Sequence, residues 1–142
     1  MKKLLSERTA TNSLLLILAL VVVMHLLILA GIIPFAMVWG GRLQNEAQML
    51  RFESVSVLVN FLMLAVVALR AGLLRVRLHP IVGRIMLGLM AGLFLLNTVG
   101  NLLSTNPLEK VVFTPLTLVL FLLSLRLAWY APEKKLISVN QL

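Results

Sequence analysis

Four apolar runs, each about as long as a bilayer is thick, decide what this chain can become. Residues 12–38, 50–74, 80–103 and 109–131 are each long enough to cross a hydrocarbon core of about 30 Å at about 1.5 Å per helical residue. A segment inside lipid has to satisfy its backbone amides internally, so each run is expected to be a helix. The connections are short, which makes successive helices antiparallel neighbours. The expected fold is therefore a single all-α, integral-membrane up-down four-helix bundle, with residues 132–142 as a polar tail. Composition points the same way: 61% of the 142 residues are hydrophobic and 13% charged, against about half and about a quarter in a soluble domain.

The ends of the runs carry recognisable stop and start chemistry. Thr11 or Asn12 can cap the first helix, Pro34 is expected to kink its last turn, and Gly40-Gly41 to end it. Asn45-Glu46-Ala47-Gln48 has the spacing of a capping box, and Asn106-Pro107-Leu108-Glu109 reads as a second one. Pro80 suits the first position of the third helix. Residues 13–33 are longer than a secretory h-region and no cleavage pattern follows, so this run is expected to remain as an anchor.

Lys and Arg set the orientation. Lys2, Lys3, Arg8, Arg70, Arg75, Arg77, Arg84, Arg126, Lys134 and Lys135 fall at one end of the bundle; Arg42, Arg51 and Lys110 fall at the other. Ten against three predicts both termini in the cytoplasm, in a bacterial inner membrane. The net charge of +8 sits at helix ends rather than in a stripe, which argues against nucleic acid. The absence of cysteine excludes thiol chemistry and thiolate metal sites. Seven methionines without a histidine-rich stretch give no copper site, and no cofactor is expected.

The polar residues inside the runs are the candidates for function. Glu53, Ser56 and Asn60 share one helical face, as do Met86, Met90, Asn97 and Asn101 on the next helix. Antiparallel packing brings both sets towards the outer end of the bundle, within reach of Trp39, Arg42 and Arg51. Polar groups in lipid need partners. The eight residues Trp39, Arg42, Arg51, Glu53, Ser56, Asn60, Asn97 and Asn101 are therefore expected to line a pocket for a small ligand, lipid headgroup or partner helix. The plainer reading pairs Glu53 with an arginine and uses the asparagines to bridge helices. His25 is expected to bond a neighbouring helix carbonyl, ahead of relaying a proton or binding a metal. Gly88-Leu89-Met90-Ala91-Gly92 is expected to pack within the bundle ahead of dimerisation, and Arg70 and Arg126 to snorkel to headgroups.

The segments WGGRL at Trp39–Leu43, Phe52-Glu53 and NTVGN at Asn97–Asn101 resemble those of small bacterial four-span inner-membrane proteins. The resemblance implies a shared outer-face constellation and no particular activity. Small multidrug exporters are similar in size, yet they use a glutamate in the first helix, and residues 12–38 contain none. Arg51, Glu53 and Asn60 echo the composition, without the order, of the glutathione-linked four-helix family. No nucleophile lies beside a histidine base, so the expectation is a binding protein rather than an enzyme. The alternative is an oligomeric proton- or ion-coupled transporter using Glu53.

Overall fold

The computed structural model describes residues 6–76 and 78–129. The expected tail at 132–142, with Lys2, Lys3, Arg77, Lys134 and Lys135, lies outside the described residues. Those described form helices α1 (Glu7–Leu29), α2 (Glu46–Arg70), α3 (Pro80–Leu102) and α4 (Thr114–Trp129), with two 3₁₀ turns between α1 and α2. A π-helical turn, Glu109–Phe113, leads into α4. Counting α4 with that turn, all four helices are long and apolar enough to cross a membrane. By length and composition the four helices suggest a multi-pass membrane protein.

The helix ends differ from expectation in ways the local chemistry explains. Ser6, not Thr11 or Asn12, caps α1 by accepting from the Thr9 amide at 3.0 Å. Glu7 sits in that first turn, where a carboxylate opposes the helix dipole. At the other end α1 stops at Leu29 rather than Val38. Gly31 takes φ 72°, and the Ile32 and Gly31 amides reach back to Leu27 and Ile28: a Schellman ending. Ala71-Gly72 repeats that geometry after α2, with Leu73 bonded to Ala68 and Gly72 to Leu69. Pro34 therefore lies beyond α1 and introduces the 3₁₀ turn Phe35–Met37 instead of kinking a helix. Asn45 accepts from the Gln48 amide at 2.9 Å. Gln48 returns its oxygen to the Gln44 amide, one residue earlier than a capping box requires.

Packing is uneven around the bundle. Helix α3 lies along α4 and α1 lies along α2, with α1 against α4 as well, but α2 and α3 touch only sparsely. A large apolar core, including Leu14, Leu18, Val67, Leu87 and Leu127, fills the end nearest the termini. A smaller one of Ile28, Val38, Leu43 and Met49 lies beneath the 3₁₀ turns at the opposite, loop end. Large apolar side chains such as Leu16, Leu89, Leu96 and Val111 are exposed, as lipid contact demands. Arg70 is not splayed outwards: its side chain is 8% exposed and meets Glu7 at 3.3 Å.

The GxxxG also departs from expectation. Gly88 and Gly92 are exposed, and a Cβ added at either meets nothing within 4 Å. Gly88→Ala and Gly92→Ala should therefore keep the bundle intact and gain roughly 0.5–1 kcal/mol from helix propensity. Equilibrium unfolding in micelles checks this, and a clear loss of stability would mean that the face is packed after all.

Candidate functional site

Between the two cores every helix presents polar side chains, and a cavity of about 430 Å³ opens there. On α1 the buried face runs through Leu14, Leu18 and Val22 and resumes at Ile28. His25 falls on that face, three residues from both Val22 and Ile28. On α2, Glu53 lies between the buried residues Met49 and Met63. Pointing two such groups at the same level of neighbouring helices brings them together.

Glu53 is fully buried. Its Oε2 is 2.5 Å from His25 Nδ1, and its Oε1 accepts from Trp39 Nε1 at 2.6 Å. No arginine lies within ion-pair distance of it among the described residues. The carboxylate is thus held by an imidazole and an indole rather than by a guanidinium. Trp39 has φ 58°, the one positive value outside glycine among the described residues. A side chain in that region costs about 1–2 kcal/mol. The indole bond to Glu53 and the edge-on contact with Phe52, ring centres 5.1 Å apart, hold it there.

A second acid belongs to the same site. Glu109 is 5% exposed, and its Oε1 accepts from the Gly40 amide at 2.6 Å. It does not complete the expected box at Asn106, whose amide is taken by Ser104 Oγ at 3.0 Å. Pro115 supplies the reason. It has no N–H for the Val111 carbonyl and crowds the preceding turn, and the helix before it is wound as π. That wider turn precedes the regular helix, and the Glu109 side chain is directed across to the loop. Asn106 also reaches this loop, donating to the Met37 carbonyl at 2.8 Å. Residues 37–40 are therefore latched from α2 by Glu53 and from the start of the fourth span by Glu109 and Asn106.

Of the expected residues, Trp39, Arg42, Glu53, Ser56, Asn60, Asn97 and Asn101 all line the cavity. Arg51 does not; it is exposed, two residues away from Glu53 and so on another face of α2. The asparagines differ in how they are satisfied. Asn60 donates to the Ser56 carbonyl at 2.8 Å and Asn101 to Thr117 Oγ1 at 3.4 Å. Asn97 makes no hydrogen bond to any described residue. Sequence reasoning passed over His25, Glu109 and Thr117 as members of the site. Two of them carry a visible signal: Glu109, Phe113, Thr117 and Leu120 recur at four and three residues along the inward face of the fourth span.

Met63, Phe94 and Leu120 belong both to the cavity lining and to the larger core, and the exposed Leu93 lines the cavity as well. Helices α2 and α3 both contribute to its lining and barely meet. Its lining is thus amphipathic, with acids, amides and one arginine towards the loop end and apolar side chains further in. No family model, curated protein or solved structure matches the chain, so its own residues carry the functional reading.

Proposed function

We propose that this is a non-enzymatic, multi-pass inner-membrane protein whose cavity binds an amphipathic molecule admitted from the bilayer between α2 and α3. With both termini in the cytoplasm, as the Lys and Arg distribution favours, the polar end of the cavity faces outwards. The observation that carries this reading is Asn97. It lines the cavity about 8 Å inside the end of α3 at 1.5 Å per residue, with no described side chain or carbonyl to bond. Asn97 is exposed rather than packed, and an amide at that depth in a bilayer is costly unless water or a ligand meets it. A cavity of about 430 Å³ is within the usual range for small-molecule sites, roughly 300–1,000 Å³.

Asn97→Leu tests the proposal. The variant should fold as well as the parent, because no internal hydrogen bond is lost, and it should retain at least about tenfold less co-purified amphiphile. Mass spectrometry of the organic extract gives the amount bound, and a thermal melt gives the folding. Unchanged retention in a folded variant would sink the reading, and unfolding would return Asn97 to a structural role. A proton- or ion-coupled transporter using Glu53 draws support from the His25–Glu53 pair. It also needs a wet path past Leu18, Leu87 and Leu120, which are fully packed. Proteoliposome flux that disappears in Glu53→Gln would favour that rival.

A further inference from the structure

Two groups of opposite charge that line the cavity are incompletely partnered among the described residues. Glu109 is 5% exposed, yet only its Oε1 is engaged, by the Gly40 amide; Oε2 accepts from no described residue. Arg42 also lines the cavity and makes neither a hydrogen bond nor an ion pair with a described residue. Both converge on one point. A Cβ placed on Gly40 would lie 3.4 Å from Arg42 Nε and 3.6 Å from Glu109 Oε2. They nevertheless stay apart, with no ion pair closed between them. Arg42 is exposed and the free Glu109 oxygen is accessible rather than sealed in, so both groups are open to a ligand that brings the opposite charges.

The polarity along the bundle then gives an order. At the loop end stand a guanidinium and a carboxylate, suited to an anion and a cation respectively. On α3 stand the amides of Asn101, beside the end of the helix, and Asn97, one turn deeper, which can donate to carbonyls. Beyond them the walls are Val59, Met63 and Leu93, and the sparse α2–α3 contact leaves a way out into lipid. Charged pair, carbonyl zone and hydrocarbon is the sequence of parts in a zwitterionic phospholipid. An anionic lipid would satisfy Arg42 but set a negative charge beside Glu109 with nothing to offset it.

We propose that the cavity holds a phospholipid whose headgroup joins a phosphate to a primary amine, with the phosphate against Arg42 and the amine against Glu109. This rests on the amphiphile-binding reading above and names its ligand class. The amine is the discriminating part, because every phospholipid brings a phosphate.

Native mass spectrometry of the delipidated full-length protein in micelles tests it. The probes are phosphatidylethanolamine, phosphatidylglycerol and N-acetylated phosphatidylethanolamine of matched acyl chains, with soluble phosphoethanolamine as competitor. Phosphatidylethanolamine should bind about tenfold more tightly than either of the other two lipids, the difference a charge-assisted hydrogen bond makes. Glu109→Gln should bring the lipids to within about twofold of one another, and Arg42→Gln should weaken all three by about tenfold. Soluble phosphoethanolamine should compete poorly, and competition at matching concentration would overturn a lipid source. The N-acetylated lipid changes the ligand and leaves the protein intact, so it decides the amine's role even where Glu109→Gln unfolds. Lipid binding without headgroup preference, or a preference that survives Glu109→Gln, would overturn this inference and leave the amphiphile pocket standing. Binding of none of the lipids would overturn this inference, and the absence of any co-purified amphiphile from the parent protein would remove the pocket with it.

Discussion

Glu53→Leu is expected to lower the unfolding free energy by about 2–4 kcal/mol, whereas Glu53→Gln should cost less than about 1 kcal/mol. Leucine fills much of the space but leaves Trp39 Nε1 and His25 Nδ1 without the oxygens they now meet. A stranded group costs about 1–3 kcal/mol when buried, and both of these are only partly buried. The sum stays at the lower end because a chain unfolded within a membrane finds other partners. Glutamine keeps an oxygen for the indole, which can only donate, and offers an N–H to an imidazole nitrogen that can accept. Denaturant unfolding in micelles gives the two energies. Indole emission in a Trp129→Phe background reports whether Trp39 has left its bond. Equal, large losses in both variants would mean that charge, not hydrogen bonding, holds this centre together.

The contrast also explains what could be read in the sequence. Four spans, their antiparallel order and the meeting of Glu53, Asn60, Asn97 and Asn101 follow from run length and helical periodicity alone. These depend on residues that act through their own helix. The ends of α1 and α2 were equally local: Ala30-Gly31 and Ala71-Gly72 mark them, but Gly31 is masked by the apolar residues that continue to Val38. His25 and Glu109 lie on inward faces, which periodicity can show; their partners it cannot. The Glu53 contact with His25 spans 28 positions and the Glu109 contact with Gly40 spans 69. The second depends on a left-handed loop and on a π turn before Pro115. Such pairings are decided by how the loop folds back over the bundle, and no single-helix pattern contains that information. Arg51 shows the same limit from the other side. It stands near Glu53 in sequence and charge, but the 100° turn per residue carries it out of the cavity.

Gly40→Ala should cost about 2–5 kcal/mol, at least twice the cost of Gly41→Ala. Both glycines are left-handed, with φ 65° and 68°, so either alanine brings about 1–2 kcal/mol of backbone strain. Their surroundings differ. A Cβ at Gly41 meets only the Ala36 carbonyl at 3.8 Å, an ordinary contact, whereas one at Gly40 lies 3.3 Å from Ser104 Oγ as well as between Arg42 and Glu109. Ser104 is 2% exposed and holds the Asn106 amide, so it has little room to retreat. The loop must shift instead, and the Gly40 bond to Glu109 lengthens or breaks, at a further cost of about 1–3 kcal/mol. Paired unfolding measurements on the two variants subtract the shared strain and leave the value of the cradle itself. Binding separates them further. Gly41→Ala should keep the preference for an amine-bearing headgroup, because Arg42 and Glu109 stay where they are. Gly40→Ala should lose it, because a methyl group takes the point on which they converge. Equal behaviour of the two alanines, in stability and in lipid preference, would mean that Gly40 serves the turn alone.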